Sequence, residues 1–197
     1  MRFPTELVQP WIEPGSRVLD LGCGDGKLLH QLAKNIDIHG YGLEIDPYNI
    51  TASIKQGINI VEQDLDKGLS NFADNSFDTV IMTQTLQAVR YPHLVLDEML
   101  RVGKQCIVAF PNFGHWRCRW YLNTRGKMPI SKFMPYTWYD TPNIHFCTVA
   151  DFEVLTEEKH IELVNRRYVD HHNKSSSAAR MWPNLFAVTA IYRITKE

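Results

Sequence analysis

The sequence predicts an α/β fold, a mostly parallel sheet with a C-terminal antiparallel hairpin. Three observations predict it. Short apolar runs alternate with stretches of helical period between residues 17 and 110, the pattern of a parallel sheet covered on both faces. A glycine-rich turn, VLDLGCGDG at residues 18–26, joins the first run to the first helical stretch. Two strand-like runs close the chain, one on either side of a polar stretch. With 197 residues, 44% hydrophobic and 22% charged, the chain is large enough for one domain with a sizeable core. Residues 1–197 are read as that single domain, carrying an aromatic and basic insertion at about 111–147.

Taken in order, Glu6 to Ile12 reads as a short helix, broken by Pro10 and closed by Pro14-Gly15. Arg17 to Leu21 is the first strand. Asp25 to Asn35 is a helix with Leu28, Leu29 and Leu32 on one face. His39 to Leu43 is the second strand, and Pro47 opens the next helix, where its missing N–H costs nothing. Ile58 to Val61 and Phe77 to Met82 are the third and fourth strands. Pro92 starts a helix whose Val95, Leu96, Met99 and Leu100 turn inward, and Cys106 to Phe110 is the fifth strand. A helix around His115 to Asn123 is the main regular signal of the insertion. Thr148 and Asp151 form a capping pair for a helix to about His160. Ile161 to Val169 and Leu185 to Ile194 are the final strands, and DHHNKSSSAAR between them reads as a mobile loop.

The formal net charge of −1 gives no pointer to nucleic acid, and no apolar run approaches the roughly 18 residues that would span a membrane. The N-terminal stretch has no apolar core of signal-peptide length. Four scattered cysteines without a CxxC suit a reducing cytoplasm, and Cys23 and Cys106 read as small core residues. His115 and Cys118 at HxxC spacing, and the His171–His172 pair, lack a second ligand pair, so no metal site is expected. From Met99 to Tyr139 there is no acid, while Arg101, Lys104, Arg117, Arg119, Arg125, Lys127 and Lys132 fall there. This is a solvated face or a docking surface for something acidic.

The glycine turn lies between a strand and a helix, where outward-pointing backbone N–H groups can meet a carboxylate or phosphate. Gly22 and Gly24 lack the Cβ that would hold a ligand away. Glu44 ends the second strand about 20 residues further on, where an acid can hold ribose hydroxyls. That much fits both a nicotinamide dinucleotide and S-adenosylmethionine (SAM). The glycines, however, run GxGxG from Gly22 to Gly26 rather than GxGxxG, and Asp64 follows the third strand, suited to an adenine amino group. SAM carries no pyrophosphate but does carry an ammonium, which Asp20 can serve directly or through water. The candidate cofactor set is Asp20, Gly22, Cys23, Gly24, Glu44, Ile45, Asp64, Leu65 and Thr83.

Asp20, GxGxG, Glu44 and Asp64, in this order, resemble the SAM-binding class I methyltransferases over residues 16–110. The resemblance implies a Rossmann-like, seven-stranded sheet whose last pair is antiparallel. A methyl transfer to a weak nucleophile also needs a base. TQTLQ after the fourth strand has no carboxylate, and the (D/N)PP(Y/F) motif is absent. His115, Tyr91, Tyr139, Asp140 and His145 are the remaining base candidates, and no catalytic residue is assigned. GYGLEIDPYNI, SFDTVIMTQTLQAV, FPNFGHWRCR and WYDTPNIHFCTVADFE resemble more narrowly the MetW family of methionine biosynthesis. That resemblance implies association with homoserine O-acyltransferase and support of its activity. A methyltransferase with an unidentified small-molecule acceptor is the alternative, and a nicotinamide oxidoreductase the more distant one. Phe113, Trp116 and Trp120 are expected on one helical face, packed on the sheet or turned to the partner, with Arg117 and Arg119 on the other face.

Overall fold

The structure, a computed structural model, describes residues 3–130 and 135–196. Lys132 and Phe133 of the insertion lie outside the described residues. Strands β1 (Arg17–Leu21), β2 (His39–Glu44), β3 (Asn59–Glu62), β4 (Phe77–Thr83) and β5 (Gly103–Pro111) are joined by α1 (Lys27–Ile36), α2 (Pro47–Lys55) and α3 (Pro92–Val102). Then come α4 (Trp116–Arg125), α5 (Val149–Glu158), β6 (Ile161–Val169), two short helices, α6 (Ser177–Met181) and α7 (Pro183–Phe186), and β7 (Thr189–Lys196). The strand order is β3-β2-β1-β4-β5-β7-β6, with β1 to β5 parallel and β7 antiparallel to both its neighbours. This is the Rossmann-like seven-stranded sheet that the sequence predicts.

The central strands are apolar on both faces because both are covered. Leu19, Val80, Met82, Val108 and Phe110 pack toward α3 and α5, with Leu96, Met99 and Phe152. Their chain neighbours Val18, Ile81, Ile107 and Ala109 pack the opposite way, toward Leu28, Leu29 and Leu32 of α1. Each such fully buried leucine contributes about 1.5–3 kcal/mol of transfer free energy.

Three local readings change. The segment Glu6 to Ile12 forms two 3₁₀ turns, Thr5–Leu7 and Gln9–Trp11, because Pro10 has no N–H with which to continue an α-helix. The last strand begins at Thr189, not at Leu185. Pro183 starts a helical turn, and Leu185 and Phe186 belong to it. The expected loop between β6 and β7 is also built. Asp170 Oδ1 accepts from the amides of His172 and Lys174, and the Ser176 hydroxyl caps α6 by accepting from Ala179 N–H.

Asn112 fastens the segment 112–148 at both ends. Its Oδ1 accepts from Gly114 N–H (3.0 Å) and Val149 N–H (3.2 Å), and its Nδ2 donates to the Ala187 carbonyl (2.8 Å). The side chain is buried, so no water replaces these partners. Asn112→Ala is therefore expected to lower stability by roughly 2–5 kcal/mol, read as a shift in urea midpoint at constant slope. A change inside 0.5 kcal/mol, the range of ordinary surface substitutions, goes against this account.

Candidate functional site

The carboxyl ends of β1 to β4 lie at one end of the sheet, because the strands are parallel and nearly in register: Leu21 pairs with Leu43, Glu44 with Glu62, and Asp20 with Ile81. Strands β1 and β4 adjoin, yet the chain leaves them toward opposite halves of the sheet. That topological switch opens a crevice.

Asp20 lies at this switch and is 1% exposed. Its Oδ1 has no hydrogen-bond partner. Burial, and next the charge of Glu44, raises its carboxyl to about 7. Glu44 holds the turn together. Its Oε2 accepts from Gly24 N–H at 2.8 Å, and its Oε1 accepts from Ile45 N–H at 2.8 Å and Asp46 N–H at 3.0 Å. Three of about four lone-pair sites are thus used, which leaves room on Oε2. Cys23 lies beside both acids, and burial first, then Asp20 and Glu44, pushes its thiol up to about 12. The Cys23 sulfur fills the space over Gly42, where a Cβ would approach it to 2.5 Å.

The glycine turn works differently from the expected cradle of free amides. Gly22 and Cys23 N–H both donate to the Leu43 carbonyl, Gly26 N–H donates to the Cys23 carbonyl, and Lys27 N–H to Asp25 Oδ1. The turn therefore offers close approach rather than anion binding. At Gly24, with φ +57°, nothing lies within 4 Å of where a Cβ would stand, whereas at Gly22, with φ +71°, a Cβ would meet the Thr85 side chain at 2.7 Å.

The other candidates flank these. Ile45 is exposed just past β2, and Asp64 and half-buried Leu65 follow β3, where Asp64 Oδ1 accepts from Asp66 N–H. Thr83 ends β4, and its carbonyl accepts from the Thr85 hydroxyl at 3.2 Å. Asp64 and Leu65 make no hydrogen bond to the Asp20–Glu44 pair among those described.

Thr85, Gln84 and Gln87 were not legible as site residues. Gln84 is left-handed (φ +60°), with its N–H bonded to the Ala109 carbonyl. Thr85 abuts Gly22. The buried Gln87 donates through Nε2 to the Gln84 carbonyl, and its own carbonyl accepts from Ile144 and His145 N–H. The signal was TQTLQ itself, a polar stretch directly after an apolar strand.

The base candidates are hydrogen-bonded to other groups or exposed. His115 caps α4: its Nδ1 accepts from Arg117 N–H, so the neutral ring carries its proton on Nε2. Burial, then His171 and Arg117, lowers its pKa to about 4. His145 Nε2 meets the Arg90 carbonyl at 3.3 Å, Asp140 Oδ1 accepts from the Thr137 hydroxyl, and Tyr91 and Tyr139 are exposed.

The acid-free run divides in two. Arg101 is held by Glu98, Asp74 and the Leu69 and Phe72 carbonyls, and Lys104 pairs with Asp78. Phe113 precedes α4 instead of joining its face, and packs on Phe146 with ring centroids 4.7 Å apart. Trp116 and Trp120 are exposed, not packed on the sheet.

Raising the pKa of Asp20 has a consequence for stability. The folded state binds this proton more tightly than the unfolded chain does. The resulting stability is fully present below the ordinary carboxylate pKa of 3.8 and is lost as pH rises toward about 7. Asp20→Asn is thus expected to match the parent near pH 4 and to exceed it by roughly 3–4 kcal/mol at pH 8 in the absence of ligand. Urea titrations across that range check it, and a difference independent of pH contradicts it.

A family model described as methionine biosynthesis protein MetW matches residues 2–194. The chain is 35% identical over 201 residues to the bifunctional methionine biosynthesis protein MetXA/MetW of Rhodopirellula baltica, covering 98% of this chain and 32% of that protein. It is 32% identical to the cycloartenol-C-24-methyltransferase of Arabidopsis thaliana, over 77% of this chain and 48% of the relative. The chain thus spans about a third and about half of these relatives' lengths. Among solved structures, a SAM-dependent methyltransferase from Thermotoga maritima superimposes with a TM-score of 0.68 at 19% identity, covering 98% of this chain and 87% of that one.

Proposed function

The chain belongs to the methionine biosynthesis protein MetW family, and on that footing we propose that it binds SAM or S-adenosylhomocysteine (SAH) and associates with homoserine O-acyltransferase, supporting that enzyme's activity. The observation that carries the cofactor reading is the buried Asp20 oxygen with no partner, at the mouth of a turn bare at Gly24. A cationic amino group suits that oxygen. A pyrophosphate does not suit a turn whose amides at Gly22, Cys23, Gly24 and Gly26 already have acceptors. This favours SAM over a nicotinamide dinucleotide.

In this reading Asp20 holds the ammonium directly or through water, and Glu44 meets the ribose with its remaining lone pair while it orients the turn. Asp64 faces the adenine amino group, with Ile45 and Leu65 as apolar flanks. Gly22, Cys23, Gly24 and Thr83 shape the floor. Bound SAM supplies a methyl group on a sulfonium, activated for displacement. The acyltransferase reading draws support from the relative that carries MetXA and MetW in one chain.

The second reading, a methyltransferase with a small-molecule acceptor, is favoured by the likeness to cycloartenol-C-24-methyltransferase. It would need a proton acceptor other than His115, whose one unprotonated nitrogen is already taken. The whole chain is read as one domain acting in the cytoplasm. No helix among the described residues is long and apolar enough to cross a membrane.

Calorimetry is expected to detect SAM or SAH and not NAD. Glu44→Ala removes a charge-assisted contact of about 1.5–3 kcal/mol and is expected to weaken SAH roughly 10- to 150-fold. Heat with NAD and none with SAM or SAH rejects the cofactor assignment. Homoserine O-acyltransferase purified with this protein is expected to turn over faster than without it. Equal rates, together with SAH production above background on a defined acceptor, favour the methyltransferase.

A further inference from the structure

Helix α4 is unusual in what it buries. Cys118 is its one buried residue, and the pole opposite Cys118 carries Trp116 and Trp120, 42% and 64% exposed. Those two tryptophans stand at i and i+4, one above the other on the helix. Tyr121, next in the chain, shares a groove of about 540 Å³ with Trp138 and Tyr139, which are 74% and 73% exposed. Trp138 and Tyr139 meet edge to face, with centroids 5.6 Å apart. All five aromatic residues are exposed, and exposed aromatic clusters rimmed by polar residues mark interaction sites.

The charge around the rings is mainly positive. Arg117, Arg119, Arg125 and Lys127 are exposed beside them, and Asp140 is the one acid in residues 112–147. Arg117 is already ordered, its guanidinium 5.4 Å from the Trp116 ring and 3.2 Å from His171 Nε2. A second copy of the same surface would set these bases against one another with a single acid each to answer them. The surface instead fits a partner with an apolar hollow and an acidic rim.

We infer that α4 and residues 135–146 form the surface that docks the acyltransferase through such an acidic-rimmed apolar hollow. The inference rests on the reading above that the acyltransferase is the partner. The same segment is tied to the cofactor crevice. Ile144 and His145 N–H donate to the Gln87 carbonyl at 2.9 and 3.0 Å, Gln87 Nε2 donates to the Gln84 carbonyl, and Thr85 between them abuts Gly22. Docking and cofactor binding therefore shift each other's affinity by one common factor.

The test is a titration of homoserine O-acyltransferase against the parent protein, Trp120→Ala, Trp138→Ala and Ile54→Ser. Ile54 is exposed on α2, which packs on β2 and β3 at the far end of the sheet. SAH binding confirms that each variant is folded. The two tryptophan variants are expected to bind about 30-fold more weakly or worse, as for a central anchor, and Ile54→Ser like the parent. Unchanged binding by folded tryptophan variants overturns the surface while leaving the partner standing. No binding by the parent overturns both. Two-fold self-association, or binding of single-stranded RNA, lost in Trp120→Ala while acyltransferase binding persists, assigns the surface to another occupant. An SAH dissociation constant unchanged by saturating acyltransferase refutes the link to the crevice.

Discussion

Asp20 is placed by the sheet where a carboxylate is least at ease. It sits on β1, between β2 and β4, with Leu19 and Leu21 fully buried on either side and Glu44 close enough to repel it. Burying such a group unpaired costs several kcal/mol unless it neutralises or finds a partner. The rest of the site can be read as the means of tolerating it. Glu44 is drawn into three backbone N–H bonds, Cys23 closes the space over Gly42, and the turn passes in left-handed conformation at Gly22 and Gly24. The proposed ligand would bring a positive charge to this carboxylate, so that the strain of the ligand-free site becomes binding energy for a cation.

The loop after β4 is the second hub. It is pinned to β5 by Gln84, to the glycine turn by Thr85, and to residues 144–145 by Gln87. Arg90 N–H extends the connection to Asp66, next to the turn that Asp64 caps. Elements that follow four different strands thus meet through one loop of few residues. Asn112 anchors the other end of the same segment, so the aromatic surface of α4 is held to the sheet at both its entry and its exit.

The strands were legible because both faces of the sheet are covered, which leaves unbroken apolar runs such as residues 79–82 and 106–110. Arg17–Leu21 and Ile161–Val169 carry the bounds read from the sequence. LFAV at 185–188 misleads for the same reason: it is apolar, but Pro183 begins a helical turn there and pairing starts four residues later. Of the site, the acids and glycines were legible as residue types at set spacing. Their partners were not. The engaged amides of the turn, and the roles of Thr85 and Gln87, depend on backbone groups brought together from distant segments, which no local pattern encodes. The aromatic content of the insertion was equally plain, but whether its tryptophans face the sheet or the solvent turns on where α4 starts, and Phe113 falls outside it.

The central claim, that Asp20 receives the ligand's ammonium, is tested most directly by calorimetry of SAH binding near pH 7 in buffers of different ionisation enthalpy. A cation beside Asp20 lowers a carboxyl pKa that stands at about 7 without ligand, so binding drives a proton off. The account predicts net release of roughly half a proton relative to Asp20→Asn, and affinity that rises with pH through 7 in the parent but not in the variant. Proton exchange and affinity that are the same in parent and variant would contradict it.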